Sequence, residues 1–355
     1  MAKRVLLGMS GGVDSSVSAV LLKEAGYDVV GVTMKLYEHK VEGTCCNTDS
    51  TLDAKRVCDF LDIPHYTLDF TEQFNKCVIK NFINNYADCK TPNPCIECNK
   101  YLKFGLMYNK AKELGCDYIA TGHYAQICYD EKYKQNVLKK ANCIKKDQSY
   151  VLYNLPKKML NEFLLPLGGF ESKDEIRAIA KNHNLPVANK PDSEDICFIP
   201  DGNYAKFLED NSNLKPTKGD IVLSDGTVVG RHVGLYRYTI GQRKGIGVTH
   251  PTPLYVLGFN KDKNQLIVGE EQELYKSEML VNDYNFMVDM TEQPFRANVK
   301  IRYQSKDNAA TIYFNGDRTL TVKFDKPVAR ITPGQSAVFY DGDIVLGGGK
   351  IVTGC

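Results

Sequence analysis

Gly8-Met9-Ser10-Gly11-Gly12-Val13-Asp14-Ser15-Ser16 is the stretch that decides the fold. It follows an apolar run, Arg4-Val5-Leu6-Leu7, and opens a helical pattern whose apolar positions include Val17, Val20 and Leu21. A strand that turns through paired glycines into a helix lets the backbone approach a ligand closely. Its free N–H groups and the helix macrodipole favour an anion there. The expected ligand is a nucleotide; the competing reading is an ordinary Gly-Ser turn between strand and helix.

The loop lacks the lysine of G-x-x-x-x-G-K-[ST] and the third glycine spacing of a dinucleotide fingerprint, which disfavours ordinary γ-phosphate hydrolysis. It resembles the S-G-G-x-D-S loop of the ATP pyrophosphatases, which split ATP between the α and β phosphates and leave an adenylate on their substrate. The Ser10 and Ser15 hydroxyls would support the backbone donors, and Asp14 would serve the helix dipole or hold magnesium.

Outward from this loop, β-like runs at Val5-Leu7, Val29-Leu36, Tyr66-Asp69 and Tyr118-Thr121 alternate with helical patterns at Asp14-Ala25, Asp53-Leu61, Glu72-Tyr86 and Tyr101-Leu114. That alternation predicts a Rossmann-like α/β domain with a parallel sheet, over 1–204. Gly26 and Gly115 fall where helix C-caps belong, and Ser172-Lys173-Asp174-Glu175 reads as a capping box. Beyond Asp210 the pattern changes to short strands punctuated by Gly and Pro, at 219–223, 227–230 and 254–257, which predicts a small, mostly β central domain over 205–274. The remainder, 275–355, is β-rich, with clear alternation from Ala297 to Tyr303, and is expected to form a sandwich or β-barrel.

The 355 residues are 43% hydrophobic and 25% charged, enough to build two or three cores. No apolar stretch approaches the ~20 residues that span a bilayer, and Met1-Ala2-Lys3-Arg4-Val5 leads into a strand without a signal-peptide apolar region, so a cytoplasmic protein with no membrane partner is expected. Twelve cysteines then suggest thiol chemistry or metal ligation rather than a disulfide framework. Net charge is only +2, but 132–146 holds six lysines and no acid, and 296–330 carries a local +5. Either run suits a phosphate backbone or a solvated face.

Thr91-Pro92-Asn93-Pro94-Cys95-Ile96-Glu97-Cys98-Asn99 reads as a proline-rich loop before a helix that begins near Lys100, a position expected to lower a thiol pKa. A third cysteine stands in Asp192-Ser193-Glu194-Asp195-Ile196-Cys197-Phe198-Ile199-Pro200. Together with the nucleotide loop, Thr121-Gly122-His123-Tyr124, Lys146-Asp147-Gln148-Ser149-Tyr150, Gly241-Gln242-Arg243-Lys244-Gly245 and Pro333-Gly334-Gln335-Ser336-Ala337-Val338, these segments resemble, in order and over essentially the whole chain, the bacterial tRNA-specific 2-thiouridylases.

That resemblance implies an adenine-nucleotide α-hydrolase-like first domain and a tRNA-uridine 2-sulfurtransferase activity. ATP, with Mg2+, adenylates the C2 oxygen of the wobble uridine, and persulfide sulfur replaces it, with AMP as leaving group. It implies the persulfide on Cys197 and its partner nucleophile on Cys98. ATP would be held by Gly8, Met9, Ser10, Gly11, Gly12, Val13, Asp14, Ser15, Met34 and Gly122. Asn93, Pro94 and Cys95 would lie at the target base, and His123, Lys146, Asp147, Gln148, Arg302, Tyr303 and Gln335 on the tRNA. The sulfur donor would be a cysteine desulfurase or a sulfur-relay protein. A thiolate is the competent nucleophile, and a second thiol can close the cycle as a disulfide; splayed bases and phosphates suit aromatic and basic side chains.

Cys95 departs from the pattern, standing where many members carry an aspartate. With Cys98 and Cys197 it supplies three thiolates that could hold a [4Fe–4S] cluster with one iron open to sulfide, so persulfide and cluster routes both stay open. A zinc site lacks an evident fourth ligand. Cys58, Cys77, Cys116 and Cys128 read as structural, as does Cys45-Cys46, with a redox role as the latter's alternative. Rival functions are another adenylating enzyme of this loop class, an amidotransferase-type synthetase or tRNA lysidine synthetase, and a non-enzymatic nucleotide or iron–sulfur sensor.

Overall fold

The computed structural model describes residues 2–37, 48–192 and 196–354, with only the backbone of Thr48 and Asp49. Cys45-Cys46 and Ser193-Glu194-Asp195 lie outside the described residues.

The N-terminal sheet is parallel. β1 (Arg4–Gly8) lies between β2 (Asp28–Lys35) and β4 (Tyr118–Ala120), with β3 (His65–Asp69) outside β2 and the short β7 (Phe163–Leu164) outside β4. Val5, Leu6 and Leu7 are buried, as a strand covered on both faces requires. The chain runs from β1 to one side and later returns on the other, so the strand order reverses between β1 and β4. The crevice beyond the carboxyl ends of those strands is where open α/β sheets bind ligands.

α1 (Val13–Glu24) follows β1 and packs Val13, Val17 and Val20 near Ile176 and Ala180 of α5 (Lys173–Asn182). Ser172 caps α5, its Oγ accepting the Glu175 N–H at 3.3 Å. α2 (Thr48–Phe60) lies between β2 and β3 in the chain. α3 (71–87) and α4 (94–113) each contain a widened π-helical stretch, at Asn75–Ile79 and Asn99–Met107.

The helix expected near Lys100 in fact begins at Pro94. Asn93 caps it, its Oδ1 accepting from the Cys95 N–H (3.1 Å) and the Ile96 N–H (3.4 Å). Proline fits the first helical position, where its missing N–H has no partner to lose. Cys95 and Cys98 therefore lie inside the first turn of α4 rather than in a preceding loop.

The central domain follows α6 (Tyr204–Asn211). It is a sheet in which β8 (Gly219–Leu223) pairs with β9 (Val228–His232) and, in parallel, with β11 (Gln265–Gly269), while β10 (Tyr255–Asn260) pairs with β11. The C-terminal domain is a closed six-stranded barrel. β12 (Tyr275–Phe286), β15 (Leu320–Ala329), β14 (Asn308–Phe314), β13 (Phe295–Lys300), β16 (Ser336–Asp341) and β17 (Ile344–Gly354) pair in that order, and β17 closes on β12. β13 ends at Lys300, so Arg302 and Tyr303 stand in the turn beyond it instead of continuing the strand.

The α/β domain and the barrel share a sheet and a core. The hairpin β5 (Gln126–Asp130) and β6 (Gln135–Lys139) extends the barrel sheet at β17. Tyr150 and Tyr153 sit fully buried in one core with Val338, Tyr340 and Val345. Among the described residues no helix is long and apolar enough to cross a membrane.

Candidate active site

At the reversal point the chain leaves β1 through Gly8. Gly11 adopts φ +70°, and a Cβ there would fall 2.2 Å from the Ser50 carbonyl oxygen, so glycine alone fits between the loop and α2. Gly122, just past β4, abuts α1 so closely that a Cβ would lie 2.9 Å from the Ser15 nitrogen. The Ser10 N–H donates to Ser15 Oγ (3.2 Å), which holds the loop open around its remaining donors.

Basic side chains ring this loop. Asp14 accepts hydrogen bonds from the Tyr124 hydroxyl and from Lys173 Nζ, both at 2.6 Å. Lys190 Nζ donates to the Gly11 carbonyl (3.0 Å) and to Asp53 (2.8 Å). Asp192 gathers Lys146 (3.0 Å), Lys173 (3.0 Å) and Arg177 (2.9 Å). Burial alone would raise the Asp192 carboxyl; its hydrogen bonds to Lys146 and Lys173 outweigh that and hold it below the usual carboxylate range. The carboxylate of Asp14 is thus occupied by a lysine and a phenol.

The cysteine site is built on α4. Cys95 is exposed and Cys98 half-buried, and neither is in a disulfide. Asn99 is buried and anchors the turn by donating to the Val151 carbonyl (2.8 Å). The expected lowering of the thiols by the helix N-terminus is not what the surroundings produce. Burial pushes Cys98 up to about 11, only partly countered by the Lys103 ammonium. Cys95 is reachable from solvent yet sits in a crowded recess, and dehydration there raises its thiol too, again with Lys103 opposing. Taking a thiolate out of water outweighs half a helix-dipole charge.

Lys103 is itself held by His123, with 3.1 Å between Nζ and Nε2, while Thr121 Oγ1 lies 2.6 Å from His123 Nδ1. Burial first, and Lys103 second, push the imidazole well below its ordinary pKa. A neutral ring that accepts from an ammonium at Nε2 must carry its proton on Nδ1, so it donates to Thr121.

The segment with Cys197 meets this site through apolar packing. Phe198 and Ile199 are buried against Phe74, Phe82 and Leu102, and Cys98, Ile196 and Met34 pack at the edge of the same cluster. Phe198 meets the ring of Phe82 edge-on, centroids 5.4 Å apart. Cys197 is exposed beside them. Two segments far apart in sequence are thus brought together with the β2 residue expected at the nucleotide.

The residues expected on tRNA are more varied. Asp147 is buried, accepting from the Ala141 N–H (3.0 Å) and from the Ser149 hydroxyl (2.8 Å), and Gln148 accepts from the Tyr124 N–H (2.9 Å), so both brace the Lys146 turn. Arg302 donates to the carbonyls of Ile240 (2.9 Å) and Arg330 (3.0 Å) and to Thr332, tying the central domain to the barrel. Burial pushes the Tyr303 phenol up to about 12, with Asp147 and Cys95 adding to it. Gln335 donates to the Thr91 carbonyl (2.9 Å). Lys103, Lys173 and Lys190 had no sequence signal, each being a lone lysine whose partners come from other elements.

Among the described residues no group of three or more His, Cys, Asp or Glu side chains is placed to hold a metal ion. Cys95, Cys98 and Cys197 are thus not gathered as a ligand group among the described residues, and neither is Asp14 with its neighbours.

Three family models tile the chain: a tRNA methyl transferase HUP domain over residues 3–201, a tRNA methyl transferase PRC-barrel domain over 205–270 and an aminomethyltransferase beta-barrel domain over 276–351. The tRNA-specific 2-thiouridylase MnmA of Clostridioides difficile (strain 630) is 48% identical over 99% of this chain and 98% of its own length. The chain belongs to the tRNA-specific 2-thiouridylase family. The protein of the same name from Acetivibrio thermocellus is 47% identical over 98% of this chain and 99% of its own. Among solved structures, the U34-tRNA thiolase NcsA from Methanococcus maripaludis with its [4Fe-4S] cluster is 20% identical, with a TM-score of 0.37 over 59% of this chain and 68% of that one. A member of the thiouridylase family is a tRNA-modifying sulfurtransferase, here with a nucleotide-binding α/β domain.

Proposed function

We propose that the chain converts the wobble uridine of tRNA to 2-thiouridine by adenylation followed by persulfide transfer. ATP, bringing its magnesium on the phosphates, lies on the Gly8–Ser15 loop with Met34 and Gly122 beside it. The uridine O2 attacks the α-phosphorus, the α–β phosphoanhydride bond breaks, and pyrophosphate leaves toward Lys173 and Lys190. The terminal sulfur of a persulfide on Cys197, loaded by a cysteine desulfurase or sulfur-relay protein, attacks C2 and AMP departs with the former O2. Cys98 thiolate then attacks the Cys197 sulfur. The sulfur–sulfur bond breaks, 2-thiouridine is released, and a Cys98–Cys197 disulfide remains for an external thiol to reduce.

Asn93, Pro94 and Cys95 would border the base, with Tyr303 offering an aromatic face. His123 would act on tRNA through Lys103, the cation it holds. Lys146, Asp147 and Gln148, together with Arg302 and Gln335, would shape the surface that receives the anticodon arm.

The observation that carries this reading is the shared cluster, which gathers Cys98, the neighbours of Cys197 and Met34. Such an arrangement serves two-thiol chemistry beside a nucleotide. With persulfide-loaded enzyme, tRNA and ATP labelled at the α-phosphate, one AMP is expected per 2-thiouridine formed. Turnover that releases labelled ADP would sink the adenylation step.

A further inference from the structure

The first turn of α4 is also held from the C-terminal barrel. Glu97, between Cys95 and Cys98, is 3% exposed, and its Oε1 lies 3.0 Å from Lys350 Nζ on β17. Lys350 also approaches Asp283 of β12 (3.7 Å), which pairs with Lys100 one turn further along α4 (3.0 Å). Upstream, the Thr91 N–H donates to the Pro333 carbonyl (2.9 Å) and Gln335 returns a bond to the Thr91 carbonyl (2.9 Å). Gly334 between them has φ +90°, and a Cβ would crowd the Thr91 nitrogen at 3.0 Å, so the two backbones meet only because that residue is glycine.

A buried carboxylate beside two cysteines is costly unless it is paired. Nothing in its own helix pairs it; the barrel does. Burial alone would lower Lys350, but Glu97 and Asp283 outweigh it and keep the ammonium charged. Among the described residues Glu97 Oε2 has no protein partner, and Glu97, Lys350, Asn93 and Ser336 line a cavity of about 10 Å³, room for one water.

We propose that Glu97 and Lys350 are positioning residues for sulfur transfer: their ion pair, with the Pro333 and Gln335 bonds to Thr91, makes the barrel set where Cys98 stands. This rests on the reading of Cys98 as the resolving thiol. A tRNA seated against the barrel and the thiol that must reach its product are then registered by one rigid body. Neither residue touches the reacting atoms; each acts through the first turn of α4.

The test compares Glu97→Gln, Lys350→Met, Lys350→Arg and the paired Glu97→Leu/Lys350→Met with wild type in single turnovers that follow pyrophosphate and 2-thiouridine, with melting temperature and Cys98 alkylation rate alongside. Misplacing the thiol by an ångström is expected to lower 2-thiouridine per pyrophosphate by about 10²-fold in the first two variants. Their Cys98 should alkylate several-fold faster, and Lys350→Arg should restore the wild-type ratio. The paired variant removes the buried charges and is expected to recover the melting temperature but not the ratio. Asp283→Asn, a milder change at a half-exposed site, should shift the ratio in the same direction if the single variants fold poorly. Product that simply tracks melting temperature across the set, or wild-type ratios throughout, would overturn the proposal. Wild-type enzyme releasing ADP refutes the adenylation reading instead, and the Cys98 alkylation rates then still decide the role of the Glu97–Lys350 pair.

Discussion

Cys98 should be a sluggish thiol in the free enzyme, and the size of the effect follows from its surroundings. Burial moves it from an ordinary 9.0 up to about 11. Two pH units leave about 100-fold less thiolate at any pH below 9, a difference of about 2.7 kcal/mol. A more basic thiolate is intrinsically more nucleophilic, and with a Brønsted slope of 0.4–0.5 this returns about tenfold, so the net slowing is about tenfold. The assay is pulsed iodoacetamide alkylation from pH 6.5 to 10, read at the Cys98 peptide by mass spectrometry, with the urea-unfolded chain as reference. The rate should climb about tenfold per pH unit with no plateau up to pH 10. Lys103→Met, which removes the opposing cation, should slow it further. Restricted access would scale the whole profile without moving its inflection, so an inflection below pH 8.5 would refute the burial argument.

Gly122→Ala places a methyl 2.9 Å from the Ser15 nitrogen, in backbone that cannot swing aside. A strain of about 1–3 kcal/mol, borne by the nucleotide loop, should weaken binding of a non-hydrolysable ATP analogue by titration calorimetry. His123 is held neutral, its folded pKa far below the unfolded 6.5. The stability this contributes is complete above about pH 6.5 and is lost as pH falls from there toward the folded value. Urea unfolding between pH 7.5 and 5.5 should therefore show a steeper loss for wild type than for His123→Gln. Cys95 carries no step of the persulfide route, so Cys95→Asp should keep thiolation within about twofold with no iron in the protein; a collapse of activity that iron restores would return the cluster route.

Some of this was written plainly in the sequence. Val5-Leu6-Leu7 running into Gly8 and Gly11-Gly12 specifies a buried strand and a turn that few residue types can make, and the glycine clashes at Gly11 and Gly122 show why. The entry to α4 was misread because Pro92 and Pro94 look like loop punctuation. Only the cap geometry of Asn93 shows that Pro94 occupies a helical position, and only the packing around the first turn shows the burial that reverses the expected acidity of the thiols. Alternation through Ala297–Tyr303 suggested one strand, but burial of Val299 and Ile301 continues past the point where pairing stops. The basic runs left a phosphate contact and a solvated face both open, and the ion pairs of Lys132, Lys140 and Arg296 with Asp341, Asp307 and Asp325 had no mark in either run. Pairs such as Lys173 with Asp14 or Lys350 with Glu97 join residues distant in the chain. A single sequence carries no mark of them, because their geometry exists only once the domains have packed.

The central chemical claim is that the uridine O2 itself becomes part of the adenylate. A tRNA carrying oxygen-18 at C2 of the wobble uridine tests it in a single turnover with unlabelled ATP. Mass spectrometry should find one oxygen-18 in the phosphate of AMP for each 2-thiouridine made. Unlabelled AMP with the heavy oxygen appearing in water or in inorganic phosphate would contradict activation at that oxygen.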